Sequence, residues 1–229
     1  MRLLAFDTSG SAISAAAADG EALRAHRWEP MPRGHAERLL PLLGGVMGEA
    51  GWAWRDLELI AVTVGPGSFT GLRAGIAVAR ALALASGRAA IGVGTLELLA
   101  QGAAARRPES PLPIQVFADA RRDEVYAQRF LASLEPFGPP EVMARPATKA
   151  CLAPPCLVAV DSPSLSRDLP REDADVIEAA PDARYLVSAV GRRLSLGWQA
   201  GPGTALRPAY LRPPDARLSA GASMVTTGR

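Results

Sequence analysis

Two short polar motifs contain residue types that could bind a phosphate group. Residues 7–10 (Asp-Thr-Ser-Gly) follow an apolar run that we predict to be a strand. Residues 65–71 (Gly-Pro-Gly-Ser-Phe-Thr-Gly) lie between a predicted strand and a predicted helix. A glycine-rich turn at the start of a helix can direct backbone N–H groups towards a phosphate, and a nearby acid can hold its metal ion. The candidates for such a nucleotide site are Asp7, Thr8, Gly65 and Gly67.

Both motifs also have a structural interpretation. Residues 7–10 could close an Asx turn, and residues 65–71 could form a tight strand-to-helix corner capped by Ser68 or Thr70. The spacing departs from the known phosphate loops, because no Lys-Ser or Lys-Thr pair follows the last glycine and three residues separate the last two glycines. The residues by themselves leave both interpretations open.

Other catalytic chemistry lacks the necessary side chains. The chain has two histidines, His26 and His35, and two cysteines, Cys151 and Cys156. Zinc sites need about four ligands at close spacing, and nucleophilic hydrolases commonly carry a Gly-x-Ser-x-Gly turn that this sequence lacks. We therefore expect no catalytic residues, no metal site and no bound cofactor.

The elements that position these motifs alternate between strands and helices. Hydrophobic periodicity and turn residues predict the following order: strands 3–6, 11–18 and 21–28, a helix around 39–47, strand 57–64, helix 69–86, strand 90–93, a helix from Thr95, strands 114–118, 124–130 and 157–160, and helix 182–199. A proline-broken stretch at 106–113 separates two halves. We expect an α/β fold of two lobes, residues 1–106 and 107–229, each opening with a β-meander, with an extended tail after about residue 201 and disorder after Leu218.

The predicted helix 69–86 is unusual because small or apolar residues surround it on nearly all sides. Only Arg73 and Arg80 mark a polar edge. Such a helix is either buried inside the monomer or shared with a partner. We favour a subunit interface formed together with helix 39–47, because no other predicted helix in this lobe is available to cover it.

Charge and hydropathy exclude other classes. There are 25 Lys and Arg against 23 Asp and Glu, and the basic residues are scattered. A protein that holds RNA alone usually shows a basic stripe. We also find no apolar run of membrane-spanning length and no signal peptide at the start of the sequence. The prediction is a cytoplasmic protein that does not bind tRNA alone and does not associate with a membrane.

Five segments in register resemble the bacterial TsaB (YeaZ) family. These segments are residues 4–9, 35–41, 64–75, 119–126 and 210–212. The resemblance covers about residues 2–212 and is more specific in the first lobe. The chain departs from the family at Ala36, where serine is common, and over residues 143–184.

The resemblance implies an actin-like, heat-shock-ATPase-like (ASKHA) fold and a non-catalytic scaffold subunit. Such a subunit binds a TsaD-type catalytic paralogue and supports threonylcarbamoyl transfer to N6 of the tRNA adenosine next to the anticodon. The histidine pair with which TsaD holds its metal is absent here. The resemblance further implies that a TsaE-type ATPase joins the pair. We expect the subunit to form a homodimer when alone and to contact tRNA only through the complex. Three rival interpretations remain. They are an active small-molecule kinase or other ATP-using enzyme of this fold, a peptidase, and a plain homodimeric scaffold that uses the same helix pair on itself.

The resemblance also implies which residues meet the partner. The predicted interface residues are Leu39, Leu43, Met47, Phe69, Leu72, Ala74, Gly75, Val78 and Leu82, with tail contacts at Tyr210 and Arg212.

Overall fold

The computed structural model describes residues 1–172 and 174–212. The strands are β1 (Arg2–Asp7), β2 (Ala12–Asp19), β3 (Ala22–Pro30), β4 (Leu59–Gly65), β5 (Ala89–Gly94), β6 (Ile114–Arg121), β7 (Glu124–Phe130), β8 (Pro136–Ala144), β9 (Cys156–Val160), β10 (Ala174–Glu178) and β11 (Gly201–Pro202). The α-helices are α1 (His35–Glu49), α2 (Phe69–Ser86), α3 (Thr95–Arg106), α4 (Pro163–Asp168) and α5 (Ala183–Ser195). Predicted disorder after Leu218 lies outside the described residues.

The strands form two sheets with the same topology. The first sheet has the order β11-β5-β4-β1-β2-β3, and the second has the order β10-β9-β6-β7-β8. In each sheet an antiparallel meander is followed by a strand parallel to the first strand of that meander, β4 beside β1 and β9 beside β6. This arrangement confirms the predicted two-lobed α/β architecture in which each lobe opens with a β-meander.

Helices cover both faces of the first sheet. On one face, the leucine side of α1 and the small-residue side of α2 pack on β1, β2 and β4. On the other face lies α5, whose Leu186 and Val190 contact Leu3, Ala5 and their neighbours. The sequence did not predict this second cover, because α5 comes from the far end of the chain.

The two lobes exchange helices. Helix α3 follows the first sheet in sequence but packs on the second, where Leu99 and Ala103 meet Val116 and Phe130. Helix α5 and strand β11 follow the second sheet but return to the first. The predicted division into residues 1–106 and 107–229 therefore needs correction, since the first lobe includes α5 and the described tail after it.

Three elements of the second lobe were missed. They are β8, β10 and α4. Strand β8 contains three prolines and a glycine, residues that local propensity assigns to turns, and it forms an edge of the sheet where prolines are tolerated. Strand β10 is a short edge strand that depends on pairing with β9.

Helix α2 is long and apolar enough to cross a membrane by length and composition. Among the described residues it is the one helix that meets these criteria, with a mean hydropathy of 1.2 and 33% of the window buried. Helices packed in a protein core meet the same criteria. Here α2 packs on β4 and α1.

A buried ion-pair cluster joins the exchanged helices α3 and α5. Glu97 accepts a hydrogen bond from Arg192 at 3.0 Å and is also paired with Arg193. The Glu97 side chain is only 7% exposed. Arg193 also donates to the carbonyl of Gly92 at 2.9 Å, so the cluster ties α5 to the end of β5.

We expect Glu97→Gln to destabilise the fold by about 3 kcal/mol, because it leaves two poorly solvated guanidinium groups without their carboxylate. Urea unfolding followed by circular dichroism measures this change. The control is Glu109→Gln, an exposed glutamate that should shift stability by less than about 0.5 kcal/mol. Equal effects of the two substitutions would show that the cluster does not hold the helices together.

Candidate functional site

The acidic corner after β1 is an Asx turn. Asp7 is 1% exposed, and its Oδ1 accepts the backbone N–H of Ser9 at 3.2 Å and the Ser9 hydroxyl at 2.7 Å. Burial raises the pKa of Asp7, and hydrogen bonds to the carboxylate only partly oppose the shift.

The glycine motif closes directly onto this corner. The Ser68 N–H donates to the carbonyl of Ser9 at 2.8 Å, and the Thr8 hydroxyl donates to the carbonyl of Gly71 at 2.8 Å. Ser68 is also the N-cap of α2, because its hydroxyl accepts the N–H of Gly71 at 3.3 Å. The predicted cap is confirmed, and the N–H of Ser68 is already bonded within the protein.

The glycines here allow a close approach of backbone to backbone. A Cβ at Gly71 would overlap the carbonyl oxygen of Thr8, and a Cβ at Gly75 would overlap the hydroxyl of Thr8. The glycines therefore serve the packing of α2 on the first sheet.

The described tail packs against the glycine motif at Val64 and Gly65. The Ala209 N–H donates to the carbonyl of Val64 at 2.7 Å. Gly65 has φ 114°, and a Cβ there would lie 3.1 Å from the carbonyl oxygen of Ala209. The structure thus brings together all four nucleotide candidates, Asp7, Thr8, Gly65 and Gly67, but it favours the structural interpretation of both motifs.

A second buried carboxylate lies in the other lobe. Asp161 follows β9, and both of its carboxylate oxygens accept the backbone N–H of Asp119 at 3.0 Å. Burial, together with the nearby Asp119, raises the pKa of Asp161 from 3.8 to about 6. The adjacent hairpin residues Arg121, Arg122 and Asp123 have φ of 63°, 55° and 57° and include no glycine. Sequence reasoning singled out this hairpin but missed Asp161.

The structure places five of the predicted interface residues in the core. These are Leu39, Leu43, Met47, Leu72 and Gly75. Their side chains or backbone already contact the first sheet, so they are not available to a partner. Ala74, Val78 and Leu82 are partly buried, with Val78 and Leu82 packed against the same core, while Phe69 is 40% exposed. The exposed residues of the two helices lie on the side opposite this core.

The outward side of α1 and α2 carries a group of exposed small and apolar residues. We define the outer face by its exposed residues Leu40, Gly44 and Gly48 of α1 and Ala77, Ala81 and Leu84 of α2. Leu84 is 83% exposed and Leu40 is 53% exposed, which is unusual for leucines on neighbouring helices. A Cβ on Gly44 or Gly48 would contact nothing within 4 Å, so the monomer does not need glycine there.

The two predicted tail contacts are already engaged within the chain. Tyr210 stacks on Phe69 with ring centroids 5.4 Å apart, and its hydroxyl accepts Nε of Arg73 at 2.9 Å. Arg212 forms an ion pair with Glu124 of the second lobe. The tail therefore bridges the lobes, and sequence reasoning missed Arg73 as part of this cluster.

The histidines do not form a metal centre in the described part of the chain. His26 bonds to Asp182 at 2.8 Å, and Asp182 is the N-cap of α5. His35 is buried at the start of α1. Across residues 1–172 and 174–212, no three His, Cys, Asp or Glu side chains converge as ligands could.

Comparison with known proteins gives consistent matches. The family profile described as "TsaD: tRNA N6-adenosine threonylcarbamoyltransferase" matches residues 29–140. The tRNA threonylcarbamoyladenosine biosynthesis protein TsaB of Escherichia coli is 40% identical over 126 residues, which cover 55% of this chain and 53% of that protein. The aligned segment thus spans about half the length of this relative.

A solved structure covers nearly the whole chain. YeaZ from Pseudomonas aeruginosa superposes with a TM-score of 0.80 at 30% identity, and covers 92% of this chain and 99% of its own. The chain belongs to the TsaB (YeaZ) family. This membership confirms the predicted family and its actin-like fold. The TsaB-family chain also resembles the tRNA N6-adenosine threonylcarbamoyltransferase of Erythrobacter litoralis, at 46% identity over 65 residues that cover 28% of the chain and 19% of that enzyme.

We expect Gly71→Ala to destabilise the protein by about 1–3 kcal/mol, because the added methyl group must displace the backbone at Thr8. Gly48→Ala, in an unobstructed helical position, should be neutral or stabilising by up to about 1 kcal/mol. Denaturant midpoints of the two variants measure the difference. A Gly71→Ala protein as stable as the Gly48→Ala protein would contradict the close packing of α2.

We expect Asp161 to make the protein less stable as the pH rises from 3.8 towards 6. The folded state binds the Asp161 proton more tightly than the unfolded chain does, and this advantage is lost once the folded carboxyl ionises. Asp161→Asn should remove up to about 3 kcal/mol of this pH dependence. Unfolding free energies measured between pH 4 and pH 7 test it, with the exposed substitution Asp123→Asn as control. If the unfolding free energy of wild type changes with pH in the same way as that of Asp161→Asn, the raised pKa of Asp161 is contradicted.

Proposed function

We propose that this chain is a non-catalytic scaffold subunit that binds a TsaD-type catalytic paralogue and supports threonylcarbamoyl transfer to N6 of the tRNA adenosine next to the anticodon. The observation that carries the proposal is the outer face. Exposed leucines and small residues line up there on two adjacent helices that already have a complete core beneath them.

The chemistry of the outer face suits helix-on-helix packing. Glycine and alanine allow the axes of two helices to approach closely, and exposed leucines supply apolar area to bury. None of the six residues that define the face is charged. A partner with a similar face could bury these six residues without placing a charged side chain of this chain at the centre of the contact.

A paralogue is the partner that these features favour. The matching TsaD profile spans residues 29–140, a region that includes both α1 and α2. A TsaD-type protein with the same two helices would pair with this chain about a pseudo-twofold axis. The same face could pair with a second copy of this chain, so we propose a homodimer when the paralogue is absent.

A scaffold role agrees with the closed corner. The N–H group of Ser68 and the hydroxyl of Thr8 are bonded within the protein, and the tail covers the side next to Gly65. Groups that are already bonded within the protein are not available to a phosphate in this conformation. We further propose that the subunit acts in the cytoplasm, that a TsaE-type ATPase joins the pair, and that tRNA is contacted only through the complex.

The experiment is light scattering after gel filtration of this chain, alone and mixed with the TsaD-type subunit of the same organism. Wild type should form a mixed complex that replaces the homodimer or monomer. Two folded proteins that remain separate at high concentration would refute the scaffold role, and tight Mg·ATP binding by the isolated chain would then favour the kinase alternative.

We expect Ala81→Arg to weaken the mixed complex by at least about 100-fold, because it places an unpaired charge in an apolar interface. Ala81 is exposed, so the fold should be unchanged, whereas Val78→Glu would also disturb the core. Ala105→Arg, the same change at an exposed position of α3, is the matched control and should bind like wild type. Isothermal titration calorimetry measures the Kd, and circular dichroism verifies folding.

A further inference from the structure

We infer that Arg73 determines partner specificity at one end of the outer face, by receiving a carboxylate side chain of the TsaD-type paralogue. This inference rests on the proposed function and adds to it the chemical nature of one contact. The aromatic residues Phe69 and Tyr210 hold the Arg73 guanidinium group in place for that contact.

Arg73 lies in line with the apolar residues of the outer face. It is exposed, and it precedes Ala77 by one helical turn and Leu84 by three. At 100° per residue, all three side chains leave α2 within about 40° of one another. A partner helix that covers Ala77 and Leu84 therefore reaches Arg73 near the N-terminal end of α2.

Two aromatic residues hold the guanidinium group of Arg73. Its central carbon lies 3.7 Å from the centroid of the Phe69 ring and 5.9 Å from that of Tyr210. Its Nε donates to the Tyr210 hydroxyl at 2.9 Å. These contacts fix the plane of the guanidinium group, and within residues 1–172 and 174–212 its two terminal nitrogens form no hydrogen bond. A fixed planar fork loses little conformational entropy when it binds a carboxylate in a bidentate manner.

No carboxylate of the described chain pairs with this charge. In residues 1–172 and 174–212, the ion pairs do not include Arg73. Helix α2 contains no acidic residue, and its N-terminal end carries the positive end of the helix dipole. By contrast, Arg80 on the same helix donates to the carbonyl of Leu206. Arg73 is thus the exposed positive charge beside an apolar face.

A protein carboxylate fits this position better than an RNA phosphate. RNA binding through the backbone relies on several basic side chains that neutralise successive phosphates. Arg73 is the single basic residue of the first two turns of α2, and the residues that follow it on the outer face are Ala77, Ala81 and Leu84. A surface with one arginine beside alanines and leucine matches a protein helix that carries one acidic residue at its end.

Tyr210 acts as a positioning residue. The tail that carries it is fixed to the first lobe, since the Ala209 N–H bonds to Val64 and Leu206 is buried in the first-lobe core. Tyr210→Phe would keep the ring stack but remove the oxygen that accepts Nε of Arg73. The guanidinium group would then rotate more freely before the partner binds.

The test is calorimetric titration of the TsaD-type subunit with full-length variants at low and high salt. Arg73→Gln should raise the Kd by about 10- to 100-fold and reduce its salt dependence, because a charge-assisted bidentate contact is lost. Arg73→Lys should restore the salt dependence but only part of the affinity, since it lacks the planar fork. Tyr210→Phe should have a smaller effect, of a few fold. Arg167→Gln, an exposed arginine of the second lobe, is the matched control and should bind like wild type.

The outcomes separate this inference from the proposed function. If the paralogue does not bind wild type, the scaffold role fails. A second outcome is that the paralogue binds wild type and fails to bind the Ala81→Arg variant. If Arg73→Gln then leaves both the Kd and its salt dependence unchanged, only the Arg73 contact is refuted. If Arg73→Gln leaves the protein affinity unchanged but weakens tRNA binding by the assembled complex, the ligand of Arg73 is a phosphate and the carboxylate assignment is wrong.

Discussion

Helix α2 lies so close to the corner after β1 that no side chain fits between them at Gly71 and Gly75. The hydrogen bonds from Thr8 to Gly71 and from Ser68 to Ser9 fix this approach. Because a helix is rigid, fixing its N-terminal end also sets the direction of every later side chain. The same contact therefore occupies the corner where a phosphate could bind and turns the alanines and Leu84 towards the outside.

The exchange of α3 and α5 between the lobes joins the two sheets through packed helices. Each of these helices continues the chain from one sheet and packs on the other. Ion pairs between Glu97 of α3 and the two arginines of α5 hold these helices together. They are mostly buried, so solvent screens the charges only weakly. The outer face of α1 and α2 therefore rests on a sheet that both exchanged helices join to the second lobe.

The tail joins three features that are separate in sequence. It adds β11 to the edge of the first sheet, buries Leu206 beside α2, and then brings Tyr210 to Phe69 and Arg212 to Glu124. The tail thereby covers the glycine motif at Gly65, and Tyr210 completes the aromatic contacts of Arg73. The same segment therefore contacts both the glycine motif and the aromatic residue beside Arg73.

Local sequence was sufficient for much of this protein. Alternating and apolar runs predicted β1, β2, β3, β6 and β7, and the Ser68 cap and the extent of α2 follow from hydroxyl and glycine positions around an apolar stretch. The five segments that match the TsaB family identified the fold. These features depend on residues close together in the chain, so they can be predicted without tertiary contacts.

Only the tertiary structure decided which sides of α1 and α2 face inwards. Leu39 and Leu40 are chemically equivalent, yet one is buried and the other is 53% exposed, because the sheet accepts one side of the helix. The return of α5 to the first sheet and the contact of Arg73 with Tyr210, 137 residues away, likewise depend on the folded chain. Hydrophobic periodicity predicts that a helix has apolar sides. The position of the sheet and helices packed around it determines which side remains exposed.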